Sequence, residues 1–145
     1  MIVPYITLAT ASVLGILFVV LSAAVSGERG RSKIGLGTGA ETTSALGKEH
    51  EAPRLLIAVR RHGHFAEYVP LSLILLMLLE LANTDRRVLL GLAGALVLSR
   101  LMITAGLGRA APNVLRAGGN TIQYLMIFVA CIYGLVSFAR SQGWV

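Results

Sequence analysis

Three ionisable side chains, Arg60, His64 and Glu67, lie at the head of the most apolar stretch of the sequence. The leucine-rich segment 71–79 follows closely, so in a membrane helix these groups would enter or approach the bilayer, where charge is costly and usually functional. Their i, i+4, i+7 spacing places all three on one stripe of a helix. Such a stripe can receive a zwitterionic ligand. It fits equally a membrane boundary at which the arginines reach the headgroups and Glu67 pairs with a neighbouring helix.

The composition indicates a membrane protein. Hydrophobic residues make up 55% of the 145 residues, charged residues make up 14%, and the mean hydropathy is +0.74. A water-soluble domain needs more polar surface than this, so we expect an integral membrane protein of one domain. The formal net charge is +6, but the basic residues crowd between the apolar segments. That distribution is typical of topology signals and not of a nucleic-acid-binding surface.

Four apolar segments each approach or exceed the roughly 20 residues that span a hydrocarbon core. They predict transmembrane helices at residues 3–25, 53–82, 88–107 and 118–139. A β-barrel would show short alternating segments, so the predicted fold class is all-α: one domain, 1–145, formed by a bundle of four transmembrane helices. No positive charge precedes the first segment, which argues against a signal peptide. The single cysteine, Cys131, is expected to be a buried packing residue.

The long connection between the first two segments, residues 27–52, is polar and rich in glycine. Its glycine run at 35–39 superficially resembles a phosphate loop, but no strand precedes it and no Lys-Ser/Thr pair closes it. We therefore interpret the connection as a flexible loop. Lysine and arginine are concentrated in this loop and in the third loop, so the positive-inside rule places both in the cytoplasm and both termini on the opposite side.

This topology predicts the depths of the charged side chains. At the usual helical rise, Glu67 lies about 21 Å and Arg100 about 18 Å from the outer ends of their helices. We therefore expect Glu67 and Arg100 to interact, directly or through a ligand, since charges inside a bundle generally pair. Near the outer end, Glu80 is expected to pair at the surface with Arg86 or Arg87.

The helix that begins near Arg60 resembles one helix of the membrane-associated proteins in eicosanoid and glutathione metabolism, the MAPEG family, and most of all their small bacterial members. The family pattern is an arginine, an asparagine four residues on and a glutamate three residues later, which correspond to Arg60, His64 and Glu67. The resemblance continues to Arg100 in the third segment and to Arg116 before the fourth, and it covers nearly the whole chain.

The resemblance implies a four-helix protomer, a homotrimer, and a glutathione site between adjacent protomers that opens toward the cytoplasm. A bacterial member would lie in the inner membrane with both termini in the periplasm. The family assigns to the position of Arg116 the stabilisation of the glutathione thiolate, which attacks an electrophile or reduces a lipid hydroperoxide. This role is chemically sound, because a thiol of pKa about 8.5 is mostly protonated at neutral pH and a guanidinium favours its anion.

The other binding residues are also implied by the resemblance. Glu67 would bind the amino end of glutathione, and Arg60 and Arg100 would surround the ligand. A first-helix arginine also contributes in the family, and both Arg29 and Arg31 are candidates for that position. Several arginines and one glutamate are complementary to the two carboxylates and the ammonium of glutathione.

The sequence departs from the family pattern at several positions. His64 replaces the usual asparagine, and Ile103 and Leu107 stand where eicosanoid-making members have a histidine and a tyrosine. Asn120 stands where those members have a tyrosine. The remaining polar candidates in the fourth segment are Thr121, Gln123 and Tyr124.

Three functions remain open from the sequence. The first is a glutathione-dependent transferase or peroxidase that acts on hydrophobic electrophiles or lipid hydroperoxides dissolved in the membrane. The second is a non-catalytic membrane protein that binds an anionic small molecule or lipid in the same cleft between subunits. The third, a small multidrug transporter with Glu67 as the proton-coupled carboxylate, is disfavoured because clustered arginines repel cationic drugs. No metal site is predicted, because the histidines lack companions at metal-ligand spacing.

Overall fold

The computed structural model describes residues 3–37, 54–109 and 113–144. Within these ranges the chain forms four α-helices, and all four are long and apolar enough to cross a membrane. The described part of the chain is thus all-helical, and the protein is an integral membrane protein, as the sequence predicts. The helices are α1 (Tyr5–Ser32), α2 (Arg54–Leu81), α3 (Arg86–Gly106) and α4 (Val114–Ser141).

Helix α1 continues past its predicted end at residue 25. Its last turns are polar, and two interactions support them: Arg31 forms an ion pair with Glu28 at 2.7 Å, and Arg29 donates to backbone carbonyls beyond the helix, including that of Gly35 at 3.0 Å. Such contacts stabilise the end of a helix where the side chains are polar and no apolar face can be buried. The predicted flexible loop therefore starts later than residue 27, and most of it, residues 38–52, lies outside the described residues.

Consecutive helices run antiparallel, with α1 packed mainly on α2 and α3 mainly on α4. A short turn joins α2 to α3: Asn83 adopts the left-handed conformation with φ 57°, and Asp85 accepts a hydrogen bond from the Arg87 amide as the N-cap of α3. This arrangement brings the start of α2, the end of α3 and the start of α4 to one end of the bundle.

The helices bury a narrow apolar seam and expose the rest of their apolar surface. Leu14, Leu76, Leu96 and Ala130 are at most 1% exposed in the core. Large apolar side chains on the outside of the bundle are exposed, as expected where lipid and not water surrounds it. Examples are Ile16, Val19, Phe128 and Leu135. Cys131 also lies on this outer surface, so its prediction as a buried packing residue is wrong.

Glu80 does not pair with Arg86 or Arg87, contrary to the prediction. Its carboxylate reaches the first turn of α1 and accepts hydrogen bonds from the backbone amides of Ile6 and Thr7, each at 2.8 Å, and from the Thr7 hydroxyl at 2.8 Å. The first amides of a helix have no partner within the helix and carry partial positive charge. Glu80 therefore acts as a cap supplied by a neighbouring helix and ties the start of α1 to the end of α2.

Replacing this carboxylate should destabilise the bundle. Glu80→Gln removes the negative charge and turns an amide NH₂ toward N–H donors, so we expect a loss of about 1–2 kcal/mol in the free energy of unfolding. Denaturant titration in detergent micelles measures it. Glu67→Gln is the matched control, because Glu67 is exposed and makes no such capping contact among the described residues. Equal stability of the two variants would contradict the capping role.

Candidate functional site

A groove of about 700 Å³ lies at the end of the bundle where α2 begins and where α3 gives way to α4. Arg60, His64 and Glu67 line it from α2, and Arg116 lines it from the first turn of α4. Apolar side chains, among them Leu107, complete the wall. Two cations, one carboxylate and one imidazole therefore face a single concave surface, which brings the predicted stripe of α2 together with the predicted arginine of α4.

The close packing of α3 on α4 holds Arg116 at the groove. Gly106 ends α3, and a Cβ at this position would lie 2.8 Å from the backbone nitrogen of Arg116. Asn113 fixes the same junction, because its Oδ1 accepts from the Leu115 amide at 2.9 Å while its Nδ2 donates to the Gly106 carbonyl at 3.1 Å. One side chain thus caps α4 and ties it to the end of α3.

A methyl group at Gly106 should separate these two helices. We expect Gly106→Ala to lower the free energy of unfolding by about 1–3 kcal/mol, because the nearest contacting atom is the backbone nitrogen of Arg116, which cannot rotate away. Gly94→Ala on the same helix is the control: no atom lies within 4 Å of a Cβ there, so the better helix propensity of alanine should leave stability unchanged or higher. Denaturant titration in micelles compares the two, and a harmless Gly106→Ala would exclude this close approach.

A buried polar cluster lies behind the groove, centred on Arg100 of α3. Arg100 is 1% exposed and donates through Nη2 to Gln123 Oε1 at 2.8 Å, while its Nε lies 3.3 Å from the Ser99 hydroxyl. Gln123 in turn donates through Nε2 to the Ser72 hydroxyl at 2.7 Å. A buried guanidinium is thereby held by neutral oxygen atoms from α3 and α4. We call Ser72, Ser99, Arg100 and Gln123 the buried cluster.

Arg100 also reaches the groove through His64. Its Nη1 lies 3.3 Å from His64 Nδ1 and 3.4 Å from the His64 carbonyl oxygen. The predicted direct contact between Arg100 and Glu67 is not formed. The one ion pair among the described residues joins Arg31 and Glu28. Glu67 lies exposed on the groove side of α2, whereas Arg100 points into the bundle. The α2 side chain that Arg100 contacts is therefore His64, which lies about one helical turn from Glu67.

Two tyrosine rings lie beside the groove, next to His64. The His64 ring stacks on Tyr68 with centroids 4.7 Å apart, and Tyr68 lies 6.0 Å from the ring of Tyr124. The Arg100 guanidinium carbon lies 5.8 Å from the centroid of Tyr68, within cation–π range. Tyr124 is 53% exposed, so it belongs to the outer rim and not to the groove itself.

A known protein family matches most of the chain. The family model described as MAPEG family matches residues 7–136. The chain belongs to the MAPEG family. The match covers all four helices almost completely and confirms the predicted family. No curated protein and no solved structure matches the chain in the corresponding searches.

Some predicted site residues of this MAPEG protein lie away from the groove of the single chain. Arg29 is engaged with the carbonyls after α1, Arg31 is paired with Glu28, and neither lines the groove. Thr121 is exposed and donates to the Ala117 carbonyl of its own helix.

Asn120 of this MAPEG chain does lie beside the site. Its Oδ1 is buried without a hydrogen-bond partner of good geometry among the described residues, although the His64 ring is close enough for the two side chains to interact. Sequence reasoning missed Ser72 and Ser99 of the buried cluster. A signal for Ser72 existed, because His64, Tyr68 and Ser72 recur at i, i+4 and i+8 on one stripe.

Proposed function

We propose that this MAPEG protein is a glutathione-dependent membrane transferase or peroxidase that acts on hydrophobic electrophiles or lipid hydroperoxides. The observation that carries the proposal is the groove in which Arg60 and Arg116 face Glu67. Glutathione has two carboxylates, one ammonium group and one thiol, so paired arginines and a single carboxylate match its charges. Among the described residues, Asn120 Oδ1 is a buried acceptor without a partner of good geometry beside the His64 ring.

In this mechanism each residue has an electrostatic or positioning part. Arg60 binds a ligand carboxylate and Glu67 binds the ammonium, which leaves Arg116 to stabilise the sulfur anion. Arginine stays protonated in proteins, so Arg116 acts as a fixed positive charge and not as a base. Bound glutathione releases its thiol proton to water, and its thiolate forms a bond to the electrophile. The electrophile then either loses a leaving group with the bonding electron pair or, where the thiolate adds to a double bond, takes up a proton from water. Apolar residues of the wall, such as Leu107, would hold a hydrophobic second substrate beside it.

Assembly is part of the proposal. The groove opens at the surface of the single chain, and the first-helix arginines lie outside it, so we infer that a homotrimer completes the site with a neighbouring protomer. Arg31 is the freer donor, because its only described partner is Glu28 on its own helix, whereas Arg29 binds several carbonyls. Mass measurement in detergent tests the trimer, and a monomer that binds glutathione with full affinity would contradict the shared site.

Calorimetric titration with glutathione tests the function directly. The protein in detergent micelles should bind glutathione, and Arg60→Gln and Glu67→Gln should each weaken binding roughly tenfold, since each removes one charge-assisted hydrogen bond. Arg140→Gln is the control, because Arg140 ends α4 at the opposite end of the bundle. Absence of binding, or equal weakening by all three variants, would refute the proposed site.

One observation favours a second function, a non-catalytic protein that binds an anionic small molecule or lipid in the same cleft. Among the described residues, those that line the groove carry no hydroxyl group, and the resemblance places Leu107 where eicosanoid-making members have a tyrosine. The ultraviolet absorbance of bound glutathione separates the two functions. A thiolate band supports the enzyme, whereas binding without that band supports the passive role.

We further propose that both termini lie outside the cytoplasm, in the periplasm if the protein is from a bacterial inner membrane. Arginines at the groove end of the described helices outnumber those at the opposite end, which is the distribution of a cytoplasmic side. Reporter fusions after residue 145 and within residues 35–47 should therefore report opposite sides of the membrane. A carboxyl terminus on the cytoplasmic side would invert this topology.

A further inference from the structure

We propose that Arg100 is a positioning residue that fixes His64 as the neutral tautomer with its proton on Nε2, so that His64 offers the groove a hydrogen-bond donor. The inference deepens the proposed glutathione site, and its ligand-binding part rests on that function. Its tautomer part rests on the contacts of Arg100 with α2, α3 and α4 and does not depend on glutathione. Such a histidine presents an N–H donor, as the amide of an asparagine also can.

The tautomer follows from what Arg100 can offer. A guanidinium has N–H donors and no acceptor, so a ring nitrogen in contact with it must be unprotonated. The nitrogen that meets Arg100 Nη1, at 3.3 Å, is His64 Nδ1. Nδ1 therefore carries no proton, and the single proton of the neutral ring is on Nε2. Doubly protonated His64 would place an N–H against the N–H of Arg100, in addition to repulsion between two positive charges.

The buried cluster makes Arg100 rigid enough for this task. Arg100 is 1% exposed, and its Nη2 and Nε are held by Gln123 Oε1 at 2.8 Å and by Ser99 Oγ at 3.3 Å. Gln123 is 0% exposed and is itself anchored to Ser72. With these contacts in place, Nη1 is the part of the guanidinium that remains for His64, both at the ring and at the backbone carbonyl.

The surroundings of the ring agree with a donor on its other edge. His64 lines the groove. The neighbouring side chain that could accept a hydrogen bond from its ring is Asn120, whose Oδ1 is buried without a partner of good geometry among the described residues. The acidic group facing His64 is Glu67, and the basic groups are Arg100 behind it and Arg60 one turn earlier on α2. An Nε2–H among these groups can donate to Asn120 or to a carboxylate or amide oxygen of the ligand.

The test is the ring nitrogen spectrum of ¹⁵N-histidine-labelled protein in lipid nanodiscs, recorded without glutathione. Long-range proton–nitrogen correlations distinguish the two neutral tautomers and the protonated ring, and His64→Asn identifies the His64 signals. We expect the Nε2–H tautomer alone in the unmodified protein. Arg100→Met should shift the tautomer ratio roughly tenfold toward the other form, equivalent to about 1.4 kcal/mol. Arg100→Lys should preserve the tautomer, because lysine is also donor-only.

Arg60→Gln is the matched control, because it removes a neighbouring positive charge without touching Nδ1; its spectrum should equal that of the unmodified protein. If Arg100→Met fails to fold, the unmodified spectrum still decides: an Nδ1–H tautomer, a mixture, or a protonated ring at neutral pH overturns the proposal. Glutathione titration tests the ligand part separately. His64→Asn should bind within about threefold of the unmodified protein and His64→Leu roughly tenfold more weakly. Failure of glutathione to bind at all would remove the proposed function and leave the tautomer result standing.

Discussion

Arg116→Ala should reduce the rate of glutathione conjugation about a hundredfold and abolish the thiolate absorbance of bound glutathione. Arg116 is the groove cation that the family resemblance associates with the sulfur, and it lines the same groove as Arg60 and Glu67, for which we propose contacts with the ends of the ligand. Its removal leaves those contacts in place. The expected loss is therefore in the ionisation of the thiol and in turnover, with a smaller change in glutathione affinity.

Two further variants serve as comparisons for Arg116→Ala. Arg109→Ala removes a positive charge from the exposed segment between α3 and α4 but not from the groove lining, so it should change the rate less than about threefold. Arg116→Lys keeps a positive charge on a flexible stem and should retain part of the thiolate signal. Full activity in Arg116→Ala would exclude this residue from the mechanism. Equal losses in Arg109→Ala and Arg116→Ala would indicate a general effect of positive charge at this end of the bundle.

The helices and the stripe on α2 were predictable because both depend on local sequence. A long apolar segment must form a helix in lipid, since its backbone groups have no other partners. Three residues at i, i+4 and i+7 share a face whatever packs against that face. Arg60, His64 and Glu67 accordingly line one groove. The family pattern added Arg116, which lies far from them in sequence.

Partners across helices were not predictable in the same way. Depth along a helix fixes height only to within about one turn, and it carries no information on which way a side chain points around the helix axis. Arg100 and Glu67 were expected to interact, directly or through a ligand, because of their similar depth. No direct contact forms between them, and Arg100 faces inward to Gln123 and His64. Glu80 was expected to bind a nearby arginine, yet the amides at the start of α1 were a better partner. In both cases the rotational setting of neighbouring helices decided the contact.

Among these contacts between helices, those of Gln123 should have the largest effect on the free energy of unfolding. We expect Gln123→Leu to lower the free energy of unfolding by about 2–3 kcal/mol, because Arg100 then keeps a buried charge without its shortest hydrogen bond. The two serines of the buried cluster are affected less by this substitution, since the hydroxyls of Ser72 and Ser99 can each still donate to a carbonyl of their own helix, at 2.8 and 2.7 Å. Denaturant titration in micelles measures the change. Thr121→Val, an exposed position on the same helix, should stay within about 0.5 kcal/mol of the unmodified protein.

The double variant Gln123→Leu/Arg100→Met distinguishes two causes of lost stability: a buried charge without its hydrogen bond, and a change in packing. Removing both partners of a buried polar pair can be nearly neutral, whereas removing one leaves the other unsatisfied. We therefore expect the double variant to recover to within about 1 kcal/mol of the unmodified protein, although Gln123→Leu alone does not. If the two losses simply add, the cluster contributes through shape and not through the hydrogen bond to Arg100. Recovered stability together with weakened glutathione binding would show that this MAPEG protein retains a buried arginine for its action on His64 and not for the stability of the bundle.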